Sequence, residues 1–382
     1  MGDPGETARA ETVEGQRSKG SDRRRPPRRA SPRAAESLSP VEDRHAGSAP
    51  HAASFGRDII TQMTSRAHTS RTRLARPTSA LCLVALLLFA FSLCGCSGGE
   101  SLDAGGADKT SGAAFTPADS FPNAVFHEDA AQGEHDAYID ASCTADGYVA
   151  VRATSTARLK FQVASGQASY NYDLPQDGTA IVCPLTFGDG TYTFRVMQNT
   201  SGNNYVELFS TTTDVRLSSE FAPYLRPNVF CNFSADSACV SKARELVQGA
   251  DTQADALAAI CNFVVDNVSY DSAKADQLKN ATGYVPDPDE TLASGTGICF
   301  DYASLGAAML RSQGIPTKVV TGYVSPNGIY HAWIMVYIDG TWSSAHFNVM
   351  ANTWSRVDLT FAASDAAGNV GDGKEYTDRY VY

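Results

Sequence analysis

The stretch from Gly295 to Gly314 limits most strongly what this 382-residue chain can fold into. Gly295 and Gly297 allow a tight turn just before Cys299. The residues that follow are good helix formers, and the run ends at Gly314, a residue type common just after a helix. The pattern therefore predicts a helix that begins at Cys299. Unpaired backbone N–H groups and the helix dipole at such a position favour a thiolate nucleophile.

A second stretch, Leu81–Leu93, is apolar except for Ser92 and is short for a membrane span. Arginines precede it and Leu93-Cys94-Gly95-Cys96 follows it. This order resembles a bacterial lipoprotein signal peptide with its lipobox, in which Cys96 is lipidated and becomes the mature N-terminus. A plain signal peptide, or an uncleaved anchor with incidental cysteines, is the alternative.

We assign residues 63–96 to the signal peptide, because Met63 gives it an ordinary start. Residues 1–62 are interpreted as an over-long gene start that is disordered if made. Residues 97–120 are rich in Gly, Ser, Ala and Asp, which is typical of a flexible linker. We therefore expect an extracytoplasmic protein that is lipid-anchored to the cell membrane through Cys96.

Charge is distributed unevenly along the chain. Residues 1–80 carry a net charge of +6, whereas the remaining 302 residues hold 16 basic and 33 acidic side chains. An acidic body of this kind argues against nucleic acid as a partner. In an oxidising compartment Cys143 with Cys183, and Cys231 with Cys239, are possible disulfide pairs.

Residues 121–220 contain short segments rich in Val, Tyr, Phe and Thr. Turn signals such as Asp146-Gly147 and Gly188-Asp189-Gly190 separate them. This spacing predicts a small all-β, sandwich-like domain. No metal-ligand spacing accompanies its histidines, so we interpret the region as a spacer or binding module.

Residues 221–382 change to a helical period and then to an alternating one. A capping-box pattern at Thr252 and Asp255 predicts a helix upstream of Cys299. Downstream, strands are predicted over Thr317–Val324, Tyr330–Ile338 and Ser355–Phe361, with a hairpin return after Asp339-Gly340. Helices followed by an antiparallel sheet predict an α+β domain, with the Cys299 helix packed on the sheet.

A cysteine nucleophile needs a base, and the base needs an orienting acceptor. The histidines downstream of Cys299 are His331 and His346, and Asp358 follows on another predicted strand. Cys299, His331 and Asp358 are therefore the candidate triad. A zinc site of Cys299, His331 and His346 would lack a fourth ligand and a close ligand pair. No calcium-binding loop pattern occurs either, so we expect neither a metal nor a cofactor.

Five blocks, in order, resemble the bacterial transglutaminase-like family, which has a papain-like core. The blocks are Gly297-Ile298-Cys299-Phe300-Asp301-Tyr302-Ala303, Leu310-Arg311-Ser312-Gln313-Gly314-Ile315-Pro316, Thr321-Gly322-Tyr323, Tyr330-His331-Ala332-Trp333 and Val357-Asp358-Leu359-Thr360-Phe361. The resemblance spans about residues 235–365 and implies a Cys299 nucleophile, a His331 base and acid, and an orienting Asp358. One departure is Leu359, where the family more often has proline.

The resemblance implies acyl transfer through a thioester, from an amide of a peptide, a protein or a cell-wall stem peptide. Water or a second amine would resolve the thioester, so protease and transferase both stay open. The backbone N–H of Cys299 is one candidate donor to the oxyanion, and the sequence identifies no second donor. The alternative is a non-catalytic binding or adhesion lipoprotein that uses the β domain. The intact candidate triad argues against this alternative.

Overall fold

The computed structural model describes residues 108–278, 281–325, 328–363 and 376–382. The predicted signal peptide with Cys96, residues 1–62 and residues 97–107 of the predicted linker lie outside these residues. Within the described ranges, no helix has both the length and the apolar character needed to cross a membrane.

Two antiparallel four-stranded sheets form a β-module, which comprises strands β2 to β9. The first nine strands of the described chain are β1 (Lys109–Ser111), β2 (Gln132–Glu134), β3 (Ala137–Asp140), β4 (Tyr148–Ala153), β5 (Leu159–Ser165), β6 (Ala168–Leu174), β7 (Ile181–Pro184), β8 (Gly190–Ser201) and β9 (Asn204–Val215). The sheet orders are β2-β3-β4-β7 and β6-β5-β8-β9. Val149 and Val151 of one sheet and Phe161 and Phe194 of the other are buried in one core, as expected of a sandwich.

The six cysteines of the described ranges are free thiols. The two disulfide pairs considered from sequence are therefore not formed. Cys183, Cys231 and Cys239 are completely buried, and they behave as small apolar core residues. Burial raises the pKa of the Cys231 thiol to about 11.

An α+β module follows, and its elements surround the candidate triad. The helices are α1 (Ala238–Leu246), α2 (Gln253–Asn267), α3 (Ser272–Leu278), α4 (Pro288–Ser294), α5 (Cys299–Ser312) and α6 (Leu359–Ala363). The strands are β10 (Ser269–Tyr270), β11 (Thr296–Gly297), β12 (Thr317–Val324), β13 (Ile329–Val336), β14 (Thr341–Ser343), β15 (Asn348–Val349), β16 (Ser355–Val357) and β17 (Tyr376–Val381).

The main sheet of this module has the order β16-β13-β12-β17 and is antiparallel throughout. Helix α5 packs against β12 and β13, and a Cβ atom at Gly306 would lie 3.6 Å from Ile334 of β13. The predicted α+β fold, preceded by a β-rich region, is confirmed.

Helix α2 begins with the predicted capping box. The Thr252 hydroxyl accepts a hydrogen bond from Asp255 N at 3.1 Å, and the Asp255 carboxylate accepts one from Thr252 N at 2.9 Å. The other carboxylate oxygen of Asp255 accepts a hydrogen bond from Thr110 of β1. The cap therefore also fixes β1 against the α+β module.

The predicted hairpin after Asp339-Gly340 is wrong. Strand β14 does not return along β13 but pairs with β1 on one side and β15 on the other. The backbones are so close that a Cβ atom at Gly340 would lie 1.8 Å from the Ser111 carbonyl oxygen. Residues 109–111, in the middle of the predicted linker, are thus packed against the α+β module.

The buried Arg311 explains one of the sequence blocks. Its guanidinium donates to the carbonyl oxygens of Thr317, Arg226 and Tyr382 at 2.8 to 2.9 Å. Burial lowers the pKa of this side chain. The contacts join the end of α5 to the start of β12, to the segment before α1 and to the residue after β17.

The β-module and the α+β module share a continuous core. Tyr172 of β6 stacks on Phe230 with ring centroids 5.9 Å apart, and Phe230 packs on Tyr382 at 4.5 Å. These rings belong to the same apolar cluster as the cores of both modules. The β-module therefore supports one wall of the α+β module.

Candidate active site

Cys299 is the first residue of α5, and two glycines shape the turn that leads into it. Gly295 ends α4 in the left-handed region with φ of 61°, a conformation that glycine adopts without steric strain. A Cβ atom at Gly297 would lie 2.6 Å from the Asp301 Cβ. The turn before Cys299 therefore requires glycine at both positions. The Cys299 side chain that follows this turn is completely buried.

The buried carboxylate of Asp301 holds the first turn of α5 in place. It accepts hydrogen bonds from Ile298 N at 2.8 Å and from the Tyr284 hydroxyl. The Lys274 Nζ atom lies 2.9 Å from the same carboxylate. Asp301 thus links α3 and the segment before α4 to the helix start, which agrees with the supporting role expected from its position.

His331 of β13 and Asp358 form a buried pair. The His331 Nε2 atom lies 2.8 Å from Asp358 Oδ2, and both side chains are completely excluded from solvent. Asp358 also accepts hydrogen bonds from Phe361 N at 3.1 Å and from the Tyr376 hydroxyl at 3.0 Å. The Phe361 ring stacks on the imidazole at 4.4 Å, so the ring plane of His331 is fixed.

Because Nε2 of His331 faces Asp358, the nitrogen left for Cys299 is Nδ1. Burial alone would lower the pKa of His331, but the negative charge of Asp358, the hydrogen bond to it and the charge of the nearby Cys299 raise it to about 10. Among the described residues Nδ1 has no partner at full hydrogen-bond geometry. Hydrogen bonds of catalytic groups are often long before substrate binds.

Asp358 does not lie on a strand, contrary to the sequence prediction of a strand over Ser355–Phe361. Strand β16 ends at Val357, and α6 begins at Leu359. Asp358 therefore stands at the start of a helix, where Phe361 N can donate to its carboxylate. Leu359, which follows Asp358, is the first residue of α6. Proline is well tolerated at the first position of a helix, which explains why relatives can have it there. Leucine at this position also starts the helix, and the turn at Asp358 is intact.

Sequence reasoning missed Tyr270. Strand β10 pairs in parallel with β11, which sets Tyr270 opposite Gly297, two residues before Cys299. The buried Tyr270 hydroxyl has no hydrogen-bond partner among the described residues. Burial raises the pKa of Tyr270, and the negative charge of Cys299 raises it further. No local pattern signals this position, because it depends on pairing with a distant segment.

The remaining residues considered from sequence have structural contacts. The Tyr302 hydroxyl donates to the Val268 carbonyl at 2.6 Å. Trp333 is buried and packs edge-on against Tyr376 at 4.9 Å. His346 lies between β14 and β15 and packs on Phe347. No group of three or more His, Cys, Asp or Glu side chains in the described ranges is arranged to hold a metal ion.

A second cluster of Cys, His and Asp lies in the β-module. The Asp140 carboxylate is buried and contacts both the backbone N and the ring Nδ1 of His127, at 2.8 and 2.9 Å. The Cys143 Sγ atom lies 3.8 Å from the same Nδ1. The sequence analysis found no chemistry in this region.

A cysteine at a helix start, with a strand-borne histidine paired to a buried aspartate, is the arrangement of papain-like folds. Residues 240–347 match the model of the Transglutaminase-like superfamily. Over this stretch, which contains Cys299 and His331, the chain is therefore similar to transglutaminase-like domains.

Two curated proteins are similar to part of the chain. An uncharacterized protein of Mycobacterium leprae is 30% identical over 125 residues, covering 30% of this chain and 41% of that protein. A UPF0252 protein of Methanocaldococcus jannaschii is 25% identical over 148 residues, covering 37% and 40%. The chain thus spans about two fifths of the length of these relatives.

A solved structure of a candidate cysteine protease from Cytophaga hutchinsonii is also similar. It is 14% identical, with a TM-score of 0.31, and the similarity covers 62% of this chain and 79% of that one.

Proposed function

We propose that this protein is a transglutaminase-like cysteine enzyme that takes the acyl group from peptide or protein amides. The observation that carries the proposal is the buried His331–Asp358 pair, whose second imidazole nitrogen is left for the cysteine at the start of α5. Nucleophile, base and orienting acid are the three parts that acyl transfer of this type requires.

In the first half of the reaction, the Cys299 thiolate attacks the amide carbonyl carbon. The imidazolium of His331 gives its Nδ1 proton to the departing nitrogen, the C–N bond breaks and a thioester forms. A His331 pKa of about 10 supports this step, because the imidazolium is then retained at neutral pH. Asp358 accepts from Nε2 throughout and balances the positive charge.

The tetrahedral intermediate carries a negative oxygen that needs donors. The backbone N–H of Cys299 at the start of α5 is one. The Tyr270 hydroxyl is our candidate for the second, since it is buried beside this helix start and the described part of the chain gives it no hydrogen-bond partner. Its raised pKa supports a protonated phenol at neutral pH.

In the second half, His331 Nδ1 removes a proton from water or from an amine, which attacks the thioester carbonyl. The C–S bond breaks and the thiolate returns. Water gives the acid and a second amine gives a new amide. The choice depends on which nucleophile reaches the thioester.

Acid-quenched mass spectrometry of the full-length protein with glutamine-containing peptides tests the proposal. We expect an acyl adduct on Cys299 and its loss in Cys299→Ala. Measuring ammonia, cleavage products and incorporation of a labelled amine then separates hydrolysis from transfer. If no peptide acylates Cys299, and Cys299 reacts with an alkylating reagent no faster than a free thiol, the proposal is wrong.

Anchoring at Cys96 is a separate proposal that rests on the lipobox-like Leu93-Cys94-Gly95-Cys96 after the apolar run. It gives the enzyme an extracytoplasmic location on the membrane. Intact-mass analysis of membrane-extracted protein should show a lipidated Cys96 as the first residue. Loss of the lipid mass and release from the membrane are expected for Cys96→Ser.

A further inference from the structure

An aromatic pocket with a volume of about 380 Å³ opens beside the start of α5. Its lining residues are Leu278, Ala281, Thr282, Gly283, Tyr284, Ile298, Phe300, Thr321, Tyr330, Tyr380 and Tyr382. Ile298 and Phe300 are the neighbours of Cys299 in the chain, and Tyr330 immediately precedes His331. The pocket wall therefore comes within one residue of both the proposed nucleophile and the proposed base.

Among the described residues, those that line this pocket carry no charged side chain. Two of its tyrosine hydroxyls are already used inside the protein, since Tyr330 donates to Thr321 Oγ1 at 2.8 Å and Tyr284 donates to Asp301. The Lys274 ammonium lies 5.0 Å from the Tyr284 ring centre and further fixes that ring. The described lining therefore offers a ligand mainly aromatic ring surface.

Against these rings a charged side chain would lose hydration without gaining an ion-pair partner from the described lining. An aromatic ring, in contrast, gains apolar burial and edge or face contacts with the surrounding rings. The volume is in the range of pockets that hold small organic groups. The pocket thus matches an uncharged ring in size, polarity and shape.

We propose that this pocket receives an aromatic side chain of the acyl donor, close to the amide that Cys299 attacks. The inference rests on the proposed function and narrows its substrate class. It favours peptides and proteins with an aromatic residue near the reacting amide over peptides that have only small and charged side chains.

The turnover arm of the test uses the full-length protein and acetylated peptide amides that differ at one residue beside the scissile amide. One peptide series carries phenylalanine, alanine or glutamate on the N-terminal side of the scissile amide, and a second series carries them on the C-terminal side. We expect kcat/KM to be about ten- to a hundredfold higher for phenylalanine than for alanine, as burial of a phenyl ring predicts. Glutamate should be no better than alanine.

A matched pair of variants locates the effect. Ala281 is exposed at the pocket and Ala293 is exposed on α4 outside the lining. Ala281→Trp puts an indole into the pocket and should reduce kcat/KM for the phenylalanine peptide to the value for the alanine peptide. Ala293→Trp should retain the preference. Equal rates for the three peptides, or an unchanged preference in Ala281→Trp, would overturn the inference while leaving the enzyme assignment standing.

A binding arm keeps the test independent of turnover. Binding of N-acetylphenylalanine amide to full-length Cys299→Ala is followed by NMR, alone and combined with either tryptophan change. Saturable binding that Ala281→Trp alone removes supports the pocket even if no peptide acylates Cys299. Absence of saturable binding, together with absence of a phenylalanine preference in turnover, refutes it.

Discussion

The cluster around His331 in the α+β module can be compared with the cluster around His127 in the β-module. In each, a fully buried carboxylate contacts the imidazole, Asp358 at 2.8 Å and Asp140 at 2.9 Å. The nitrogen that is used differs. Asp358 contacts Nε2, whereas Asp140 contacts Nδ1, the same atom that lies 3.8 Å from Cys143. At His331 the carboxylate therefore leaves the other ring nitrogen for a thiol, whereas at His127 the nitrogen nearest the thiol already contacts the carboxylate.

The surroundings of the two cysteines differ as well. Cys299 begins a helix of 14 residues and is completely buried, whereas Cys143 precedes a 3₁₀ helix of three residues and is partly exposed. The side chain of His127 is 44% exposed, while that of His331 is fully buried. The comparison teaches that residue type and proximity do not make a triad. A triad also requires that the ring nitrogen facing the thiol is free and that the backbone presents the thiol at a helix start.

Removal of each thiol gives the largest expected contrast. Cys299→Ala should lower turnover of a peptide amide by about 10⁴-fold or more, because no nucleophile remains. Cys143→Ala should retain the wild-type rate. Steady-state kinetics with both purified variants checks this, and a comparable loss in Cys143→Ala would break the distinction between the clusters.

The paired carboxylates give the next contrast. Asp358→Asn should lower kcat by roughly a hundredfold to ten-thousandfold, because the amide no longer stabilises the imidazolium or fixes its tautomer. Asp140→Asn should leave kcat unchanged and instead lower the free energy of unfolding by about 1–3 kcal/mol, because a buried acceptor is impaired. Kinetics and chemical denaturation of both variants are the measurements.

Two buried tyrosine hydroxyls that have no hydrogen-bond partner within the described ranges sharpen the comparison further. Tyr270 lies beside Cys299, and Tyr172 lies in the β-module. Tyr270→Phe should lower kcat/KM by roughly ten- to a thousandfold, the range for loss of one oxyanion donor, with little change in stability. Tyr172→Phe removes the same group and should keep full activity. Equal activities of the two variants would exclude Tyr270 as a donor.

The pH profile gives the smallest expected effect. His331 must be protonated to release the amine, and its pKa of about 10 places the alkaline limb of activity near pH 10. Without the charge of Asp358, the limb should move down towards the ordinary histidine value of about 6.5. Profiles of kcat/KM for wild type and Asp358→Asn test this, and coincident limbs would contradict it.

The same pKa also predicts a stability change with a defined sign. The folded-state pKa of His331 is raised above its unfolded value, so its stabilisation is complete below about pH 6.5 and is lost as pH rises through about 10. The difference in unfolding free energy between wild type and His331→Gln should therefore shrink over that interval. A constant difference would argue against the charged pair.

Elements with a local signal were predicted well. The capping box of α2, the helix that begins at Cys299 and the strand that carries His331 follow from residue order alone. Capping and periodicity act within a few residues, which is why they can be read from the sequence. The α+β class follows from their order along the chain.

Features that depend on distant partners were missed or mistaken. Strand β14 pairs with β1, which is more than two hundred residues earlier in the chain, although Asp339-Gly340 indicated a hairpin. Helix α6 replaced only the later part of the strand predicted over Ser355–Phe361, because Asp358 caps the helix and Phe361 packs on His331. In both places tertiary contacts outweighed the local preference.

The sequence by itself determined the helix that presents Cys299, the residue types of the candidate triad and their order in the chain. Short-range backbone preferences suffice for these. The tertiary structure alone decided that Asp358 contacts Nε2 of His331, that Tyr270 stands beside the thiol, and that the cluster at Cys143 lacks the same geometry. A catalytic arrangement depends on which atoms face one another, and strand pairing and packing set that across the whole chain.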